Sequence, residues 1–246
     1  SFDNDCYLLM LTRAGFIKRT SLSAFSKIRS NGLIAINLED GDALKWVRLS
    51  KEGDSVLIGS RTGMAIHFRL DINELRPLGR TARGVKSMNL RKGDNLVSMD
   101  VLTSDLVDQL AKNDHLTKEI DENFEVNSTE GPWVLIASAF GLGKRVPVTQ
   151  FRLQKRAGMG LRAIKFRIKD DELVCLKVLG EGEELLFVTE KGVIVRTNAD
   201  KISQQSRAAT GVKLQRLDEG DHLSEVVLVP HEQTDEIDQI NSEKEN

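Results

Sequence analysis

The sequence has few cysteines, prolines and aromatic residues, and it contains no long hydrophobic run. Its two cysteines, Cys6 and Cys175, give no disulfide framework; both lie in apolar strand patterns, which predicts buried thiols in a reducing compartment. No apolar stretch approaches the roughly 20 residues that cross a bilayer, and no signal peptide is visible, so no membrane partner is expected. Aromatic residues make up only 5%, which argues against base stacking on single-stranded nucleic acid. The chain starts without Met, which predicts a fragment of a longer protein.

Signatures of catalysis and of metal binding are missing as well. The four histidines do not have the spacing of metal ligands, and the Gly-Lys pair at Gly143 lacks the frame of a phosphate-binding P-loop. Paired carboxylates recur, but they lie in Asp-rich turns, where hairpin formation explains them. We therefore expect no catalytic residue, no metal site and no cofactor in this chain.

What the sequence does contain is one pattern repeated four times. Each copy has an apolar strand, a glycine turn and a second apolar run that ends in basic or polar residues. A second glycine follows in each copy, and an aspartate comes ten residues after it. The turn glycines are Gly15, Gly63, Gly141 and Gly192; the second glycines are Gly32, Gly84, Gly160 and Gly211; the aspartates are Asp42, Asp94, Asp170 and Asp221. This self-similarity predicts a repeat architecture.

Within a copy, the pattern predicts short antiparallel strands joined by hairpin turns. In the first copy the predicted strands are Cys6–Thr12, Gly15–Thr20, Leu33–Leu38 and Leu44–Leu49, with a basic loop at Phe25–Asn31 and an acidic turn at Glu39–Asp42. Units of about four strands and 40–50 residues are typical of propeller blades. Two stacked β-sandwiches are the alternative, but sandwiches do not require the same glycine and aspartate offsets in every unit. We therefore predict an all-β fold with one domain over residues 1–230 and four-stranded antiparallel blades at about 6–54, 55–103, 132–182 and 183–230.

The net charge of −2 conceals a segregated distribution. Residues 104–131 form an acidic insertion between the second and third copies, with a net charge of −6; weak helical periodicity covers Asp105–Ile120, and a loop or disordered segment is expected after it. Residues 231–246 form an acidic tail with a net charge of −5, predicted to be disordered. The rest of the chain therefore has a net charge of +9. A basic body predicts an anionic partner, with nucleic acid as the first candidate.

Basic residues recur at similar positions of the four copies: on the strand after the first turn, in the loop before the second glycine, and just after that glycine. In blades, such positions recur at the same radius, so the cations form a belt that suits a long polyanion with repeating phosphates. Ordinary solvated surface charge is the alternative for any single residue. The predicted binding residues are Lys18, Arg19, Lys27, Arg29, Arg80, Arg83, Lys86, Lys144, Arg145, Lys155, Arg156, Arg162, Lys165, Arg196, Arg207 and Lys213.

Four segments of the sequence are Ala14–Asp42, Arg83–Asp94, Thr189–Thr197 and Thr210–Leu214. Together they resemble the C-terminal domain of the DNA gyrase A subunit, and the similarity extends over all four copies. No single segment is specific for this family, but their combination is. The resemblance implies a β-pinwheel, a propeller-like disc whose blades exchange strands with their neighbours.

The resemblance also implies a function. The family's domain is a non-catalytic module that binds duplex DNA without sequence specificity and bends it around a basic rim. In the holoenzyme the wrapped DNA supports ATP-driven negative supercoiling, so ATP and Mg are expected only outside this chain. The implied partners are duplex DNA, the gyrase B subunit, and the rest of the gyrase A subunit, within an A2B2 assembly. The implied location is the bacterial cytoplasm or an organelle of bacterial origin.

Two features depart from the family pattern and keep alternatives open. The family domain usually has six blades and a Q-R-R-G-G-K-G box, whereas this sequence shows four copies, and its nearest equivalent of the box, Gln154–Gly160, lacks the Lys. The corresponding C-terminal domain of topoisomerase IV is therefore the alternative within the family. A protein-interaction propeller is the alternative from another class. An enzyme is the weakest interpretation of this chain, although its parent protein is expected to be a type II topoisomerase.

Overall fold

The computed structural model describes residues 5–28, 30–112, 131–180 and 182–229. These residues form short antiparallel strands and one α-helix, α1 (Ser104–Lys112), so the predicted all-β class is confirmed. The strands are β1 (Cys6–Thr12), β2 (Phe16–Ser21), β3 (Leu44–Lys51), β4 (Ser55–Ser60), β5 (Met64–Arg69), β6 (Val85–Lys86), β7 (Leu96–Leu102), β8 (Trp133–Ser138), β9 (Leu142–Pro147), β10 (Leu161–Arg162), β11 (Leu173–Leu179), β12 (Glu184–Thr189), β13 (Ile194–Asn198), β14 (Val212–Lys213) and β15 (Leu223–Val229).

Four antiparallel sheets, the blades, follow one another along the chain. Their strand orders are β3-β1-β2-β6, β10-β5-β4-β7, β11-β8-β9-β14 and β13-β12-β15. In each of the first three sheets, three strands come from one copy of the repeat and one edge strand comes from the next copy. These edge strands, β6, β10 and β14, are called exchange strands below. The expected exchange of strands between neighbouring blades is therefore present.

The second glycine of the second, third and fourth copies allows an exchange strand to approach its acceptor. Gly84 has a φ of +103° and lies against β2, where a Cβ atom would be 2.6 Å from the carbonyl oxygen of Ile17. At Gly160 and Gly211, a Cβ would come within 2.5 and 2.6 Å of the equivalent carbonyl oxygens. A side chain at any of these positions would push the exchange strand away from the sheet. The recurrence of this glycine in the sequence therefore has a packing reason.

The predicted strand Leu33–Leu38 of the first copy is wrong. Leu22–Phe25 forms a 3-10 helix, and the described residues from there to β3 are turns and irregular segments. The reason is the strand exchange: the residues after the second glycine of the first copy correspond to an exchange strand, and no acceptor sheet precedes them within the described part of the chain. For the same reason the fourth sheet has three strands among the described residues, where four were predicted.

An aspartate in the acidic turn of each copy ties that turn to the first glycine turn. The Asp42 carboxylate accepts hydrogen bonds from the backbone N–H groups of Ala14 at 2.9 Å and Ala43 at 2.7 Å. In the third copy the equivalent bonds go to Asp171, and not to the predicted Asp170. Asp170 instead has a φ of +63°, at a place where the other copies have glycine. The third copy has one extra residue before this turn, so the ten-residue offset selects the wrong aspartate there.

The hydrophobic core lies between successive sheets. One cluster joins buried residues of β1 and β4, a second joins β4 and β8, and a third joins β8 and β12. Side chains alternate between the two faces of a strand, so β4 packs one face toward the first sheet and the other toward the third. Each blade is thereby fixed to its neighbours, and positions that are equivalent in the repeat become equivalent positions on successive blades.

The acidic insertion begins as helix α1, whose Val107 packs into the cluster between the second and third sheets. Residues 113–130 of the insertion and the tail 231–246 lie outside the described residues, so the expectations for them stay predictions. Both cysteines are free thiols; Cys175 is buried as predicted and Cys6 is half-buried. Within the described ranges, no helix has the length and apolar character needed to cross a membrane.

Candidate nucleic-acid interface

One exposed cation lies at the same position of every exchange strand. Lys86, Arg162 and Lys213 are the second residues of β6, β10 and β14, and all three are exposed. Each exchange strand forms the edge of its sheet next to the equivalent acceptor strand, so the three cations lie at the same edge of three successive blades. We call them the exchange-strand cations. Exposed charge at one repeated position is the arrangement that the predicted belt requires.

Backbone hydrogen bonds fix the exchange-strand cations in place. The residue after each cation donates its N–H to the carbonyl oxygen of the first turn glycine of the acceptor blade, at 2.8 Å in every case. These bonds join Ser87 to Gly15, Ala163 to Gly63 and Leu214 to Gly141. The backbone that carries each cation is therefore hydrogen-bonded to the acceptor blade and held at the sheet edge.

Lys18 and Lys144, which were predicted to bind phosphate, are buried instead, with 0% of their surface exposed. Each ammonium group donates hydrogen bonds to backbone carbonyls of the loop that precedes an exchange strand. Burial lowers the pKa of Lys18 to about 8 and that of Lys144 to about 7, and the positive charge of Arg207 adds to the effect on Lys144. Because neither group reaches solvent, neither can contact a DNA phosphate, and the prediction for both residues is wrong.

Arg19 and Arg145 follow these lysines and occupy equivalent positions on β2 and β9. Arg19 is fully buried and donates a hydrogen bond to the Glu52 carboxylate at 2.7 Å. Arg145, with 17% of its side chain exposed, pairs with Asp200 at 2.9 Å. Each guanidinium also lies over an aromatic ring of the neighbouring strand, 4.7 and 4.8 Å from the ring centre. The predicted phosphate contact is therefore wrong for Arg19, and the charge of Arg145 already has an acidic partner.

Two arginines in the loops before the exchange strands tie successive copies together. Arg156 donates hydrogen bonds to the carbonyl oxygens of Glu74 at 2.9 Å and of Lys86 at 2.5 Å. Arg207 donates to the carbonyl oxygen of Arg162 at 2.5 Å, which is the equivalent bond one junction further along. Each of these loops is thereby attached to the exchange strand of the preceding copy. The guanidinium group of the loop's arginine lies beside the exchange-strand cation of that copy.

Three further predicted cations lie in the first two copies. Arg83 is exposed, forms an ion pair with Glu39 and stacks over Phe16, with 4.3 Å between the guanidinium carbon and the ring centre. Arg80 is half-buried and Lys27 is exposed, and both line a cleft of about 420 Å³. The exposed side chain of Lys27 can reach a phosphate, whereas the charge of Arg83 is partly neutralised by Glu39.

The remaining predicted residues differ in their surroundings. Lys155 and Lys165 are exposed, Arg196 is paired with a carboxylate of the adjacent strand β12, and Arg29 lies outside the described residues. Arg216 is also exposed but was not among the predicted residues. It follows the second glycine of its copy by five residues, as Lys165 does, so a comparison of offsets after that glycine would have found it.

Some acidic residues of the repeats stabilise the turns. Burial opposes ionisation of Asp221, but hydrogen bonds from the Thr189 hydroxyl and from the N–H groups of Lys191 and His222 hold the pKa of its carboxyl below the ordinary value. Within the described part of the chain, no three His, Cys, Asp or Glu side chains come together as metal ligands would.

Comparison with known proteins identifies relatives of the whole chain. A family model described as the DNA gyrase C-terminal domain, a beta-propeller, matches residues 7–51, 54–103, 132–175 and 183–230. The DNA gyrase A subunit of Synechocystis sp. is 51% identical over 251 residues, which cover 100% of this chain and 29% of that protein. The DNA gyrase A subunit of Staphylococcus epidermidis is 38% identical over 226 residues, covering 92% and 22%. The chain thus spans less than a third of the length of these relatives.

Two solved structures have a similar fold. A structure of the DNA gyrase A C-terminal domain superposes with a TM-score of 0.73 at 26% sequence identity, covering 94% of this chain and 68% of that one. A crystal structure of the C-terminal domain of DNA topoisomerase IV superposes with a TM-score of 0.76 at 23% identity, covering 100% and 69%. At that lower identity, the second similarity shows a shared fold alone.

Proposed function

Because the chain belongs to the DNA gyrase C-terminal domain family, we propose that it binds duplex DNA along its exchange strands and bends it across successive blades. The observation that supports this most is the row formed by Lys86, Arg162 and Lys213, exposed at one repeated position. A phosphate backbone carries evenly repeated negative charge, which such a row can follow. Further exposed positive charge comes from Lys155, in the loop before the second glycine, and from Lys165 and Arg216, each five residues after it.

Recognition by this surface is independent of base sequence. Contacts with phosphate position a protein on the duplex but do not read the bases. Readers of single strands combine positive charge with aromatic platforms, whereas the cations here lie at sheet edges in a chain with only 5% aromatic residues. Duplex DNA of any sequence is therefore the proposed ligand.

Bending requires contacts on more than one blade. Curving a short duplex sharply costs roughly 1–10 kcal/mol, and this must be offset by contacts that a straight duplex could not make. A single exchange-strand cation cannot supply that energy, whereas equivalent cations on three successive blades engage the duplex together only if it follows their arrangement.

The proposed setting is the gyrase holoenzyme. We propose that this chain works together with gyrase B subunits and with the rest of a gyrase A subunit, in an A2B2 assembly, in the bacterial cytoplasm or an organelle of bacterial origin. DNA cleavage and ATP hydrolysis, with its Mg ion, belong to other parts of that assembly. The role of this chain is to present bent DNA for negative supercoiling.

A mobility-shift assay with the full chain and duplexes of unrelated sequence tests the binding. We expect binding at low salt and a steep loss of affinity between roughly 50 and 200 mM salt, alike for every sequence. Bending is read from the distance between dyes on the two ends of one duplex, which should shorten on binding. Absence of binding at low salt, or affinity that ignores salt, would refute the proposal, and binding without shortening would refute the bending.

A further inference from the structure

The ammonium group of Lys144 is enclosed by backbone carbonyls of the next copy. Its Nζ lies 2.7 Å from the carbonyl oxygen of Ser206, 2.5 Å from that of Arg207 and 2.6 Å from that of Ala209. These residues lie five, four and two positions before Gly211, the second glycine, which leads into β14. A lysine of the third blade therefore holds the basic loop of the fourth copy.

Lys18 makes the same contacts two repeats earlier in the architecture. Its Nζ lies 2.9 Å from the carbonyl oxygen of Gly79, 2.5 Å from that of Arg80 and 3.1 Å from that of Ala82. These are again the residues five, four and two positions before the second glycine. A fourth carbonyl, that of Ala35, lies at 2.7 Å. Identical offsets at two separate junctions mark a repeated device, which we call the lysine clamp.

The junction between the second and third copies lacks the lysine clamp. Ile66 occupies the equivalent position on β5. The carbonyl oxygen of Gly158, in the loop of the third copy, accepts a hydrogen bond from the N–H of Asn89 at 2.8 Å instead. Ala157 in that loop has a φ of +63°. The loop that faces an apolar residue therefore follows a different backbone path from the two loops that face a lysine.

The lysine clamp has a clear physical basis. A buried carbonyl that lacks a donor costs about 1–3 kcal/mol, and three carbonyls pointing at one place also repel one another. A protonated lysine supplies three N–H donors and a positive charge at that place. Opening the loop would hydrate the ammonium group in part, which is favourable. It would also break all of the hydrogen bonds between that group and the carbonyls at once, which is costly. The clamp thus favours one backbone path for Gly79–Ala82 and for Ser206–Ala209.

We propose that Lys18 and Lys144 are positioning residues for DNA binding, each of which holds a loop and thereby orients the exchange-strand cation that follows it, Lys86 or Lys213. This inference rests on the proposed function. Both lysines are buried, so they act without touching the DNA. The exchange-strand cation lies only two residues beyond the second glycine, so an ordered loop places it directly.

The first experiment measures loop order in the full chain without DNA. Lys144→Met keeps the length of the side chain and its apolar stem but removes the donors. We expect amide hydrogen exchange at Ala209 and Gly211 to quicken by about tenfold or more, because local opening becomes easier. The matched control is Ile66→Met, which changes the equivalent position where no donor exists and should leave exchange in its facing loop within about twofold.

The second experiment measures duplex affinity across a salt series. Lys144→Met and Lys213→Ala should each weaken binding and lower the slope of log affinity against log salt by about 1, although Lys144 itself is out of reach of phosphate. In the Lys213→Ala background, Lys144→Met should then have little further effect, since both changes act through one contact. Losses that simply add would show that Lys144 does not act through Lys213.

The outcomes separate the two claims. Unchanged exchange in Lys144→Met overturns the clamp, and faster exchange with unchanged affinity overturns its role in DNA binding. If the unaltered chain binds no duplex at low salt, the proposed function fails and the positioning role with it, while the exchange measurement still decides whether the clamp orders the loop. If Lys144→Met does not fold, Lys18→Met repeats the test at the other junction. Amide hydrogen exchange is then measured at Ala82, and duplex affinity is compared in the Lys86→Ala background.

Discussion

The imidazole Nδ1 of His67 lies 2.7 Å from the carbonyl oxygen of Phe151, so that one hydrogen bond joins the second blade to the third copy. The Nε2 of the same ring lies 2.7 Å from the hydroxyl oxygen of Ser55. A carbonyl can only accept, so Nδ1 carries the proton and Nε2 accepts from the hydroxyl of Ser55. Both nitrogens of this buried ring are therefore satisfied in the neutral form.

This arrangement predicts acid sensitivity between pH 6.5 and 4. Burial lowers the pKa of His67 to about 4; the hydrogen bond to Phe151 partly opposes the shift and the charge of Arg69 adds to it. The unfolded chain binds the proton near pH 6.5, so it takes up more protons than the folded chain as the pH falls. The free energy of unfolding should therefore decrease on acidification, by about 2 kcal/mol between pH 6.5 and 5.

His67→Gln provides the comparison, because its amide does not titrate. Chemical denaturation at several pH values should show a flatter profile for the variant than for the unaltered chain between pH 6.5 and 5. Carboxylates titrate in both proteins and cancel in the difference. Parallel profiles would mean that His67 keeps an ordinary pKa in the folded state.

The second glycines should differ sharply in their tolerance of alanine. At Gly84 a Cβ would lie 2.6 Å from the carbonyl oxygen of Ile17, whereas at Gly32 nothing lies within 4 Å. Both have positive φ, which costs alanine about 1–2 kcal/mol, but only Gly84→Ala also forces the exchange strand off its acceptor. We expect Gly84→Ala to lose roughly 3 kcal/mol or more and Gly32→Ala about 1 kcal/mol. Equal losses in urea denaturation would contradict the exchange geometry.

Two neighbouring aspartates in the third copy should respond in opposite ways. Asp171 accepts hydrogen bonds from the N–H groups of Phe140 and Glu172, so Asp171→Ala should destabilise the chain by about 1–3 kcal/mol. Asp170 adopts a φ of +63°, which glycine tolerates better, so Asp170→Gly should be neutral or stabilise by up to about 1 kcal/mol. Thermal and chemical denaturation of the two variants decide which aspartate forms the turn, and a larger loss for Asp170→Gly would reverse the assignment.

The repeat and the all-β class could be predicted from the sequence because both depend on local patterns. A glycine turn between apolar runs predicts a hairpin, and its recurrence predicts blades. The exchange strands could not be found in this way. Val85–Lys86 is two residues long, has no periodicity of its own and pairs with β2, nearly 70 residues earlier in the chain. Residues 33–38, whose sequence looks strand-like, pair with no strand within the described part of the chain.

The candidate site was predicted only in part, since sequence position does not reveal burial. Lys18 and Arg19 end an apolar run, and this looks like the exposed end of a strand. Their burial depends on carbonyls and a carboxylate contributed by segments 33 to 64 residues away. The exchange-strand cation Lys86, by contrast, is exposed. Equivalent positions after the second glycine were therefore a better guide to exposed cations than the local density of positive charge in the sequence.

The central claim is that the exchange-strand cations bind duplex DNA through its phosphates. Its most direct test is the salt dependence of duplex affinity for the unaltered chain and for the Lys86→Ala/Arg162→Ala/Lys213→Ala variant. Lys45→Ala/Lys51→Ala, on the opposite edge of the first sheet, is the control for a general loss of charge. We predict that the slope of log affinity against log salt falls by roughly 2–3 in the triple variant, equally for unrelated sequences, and hardly changes in the control. An unchanged slope in the triple variant, or a loss confined to one sequence, would contradict the account.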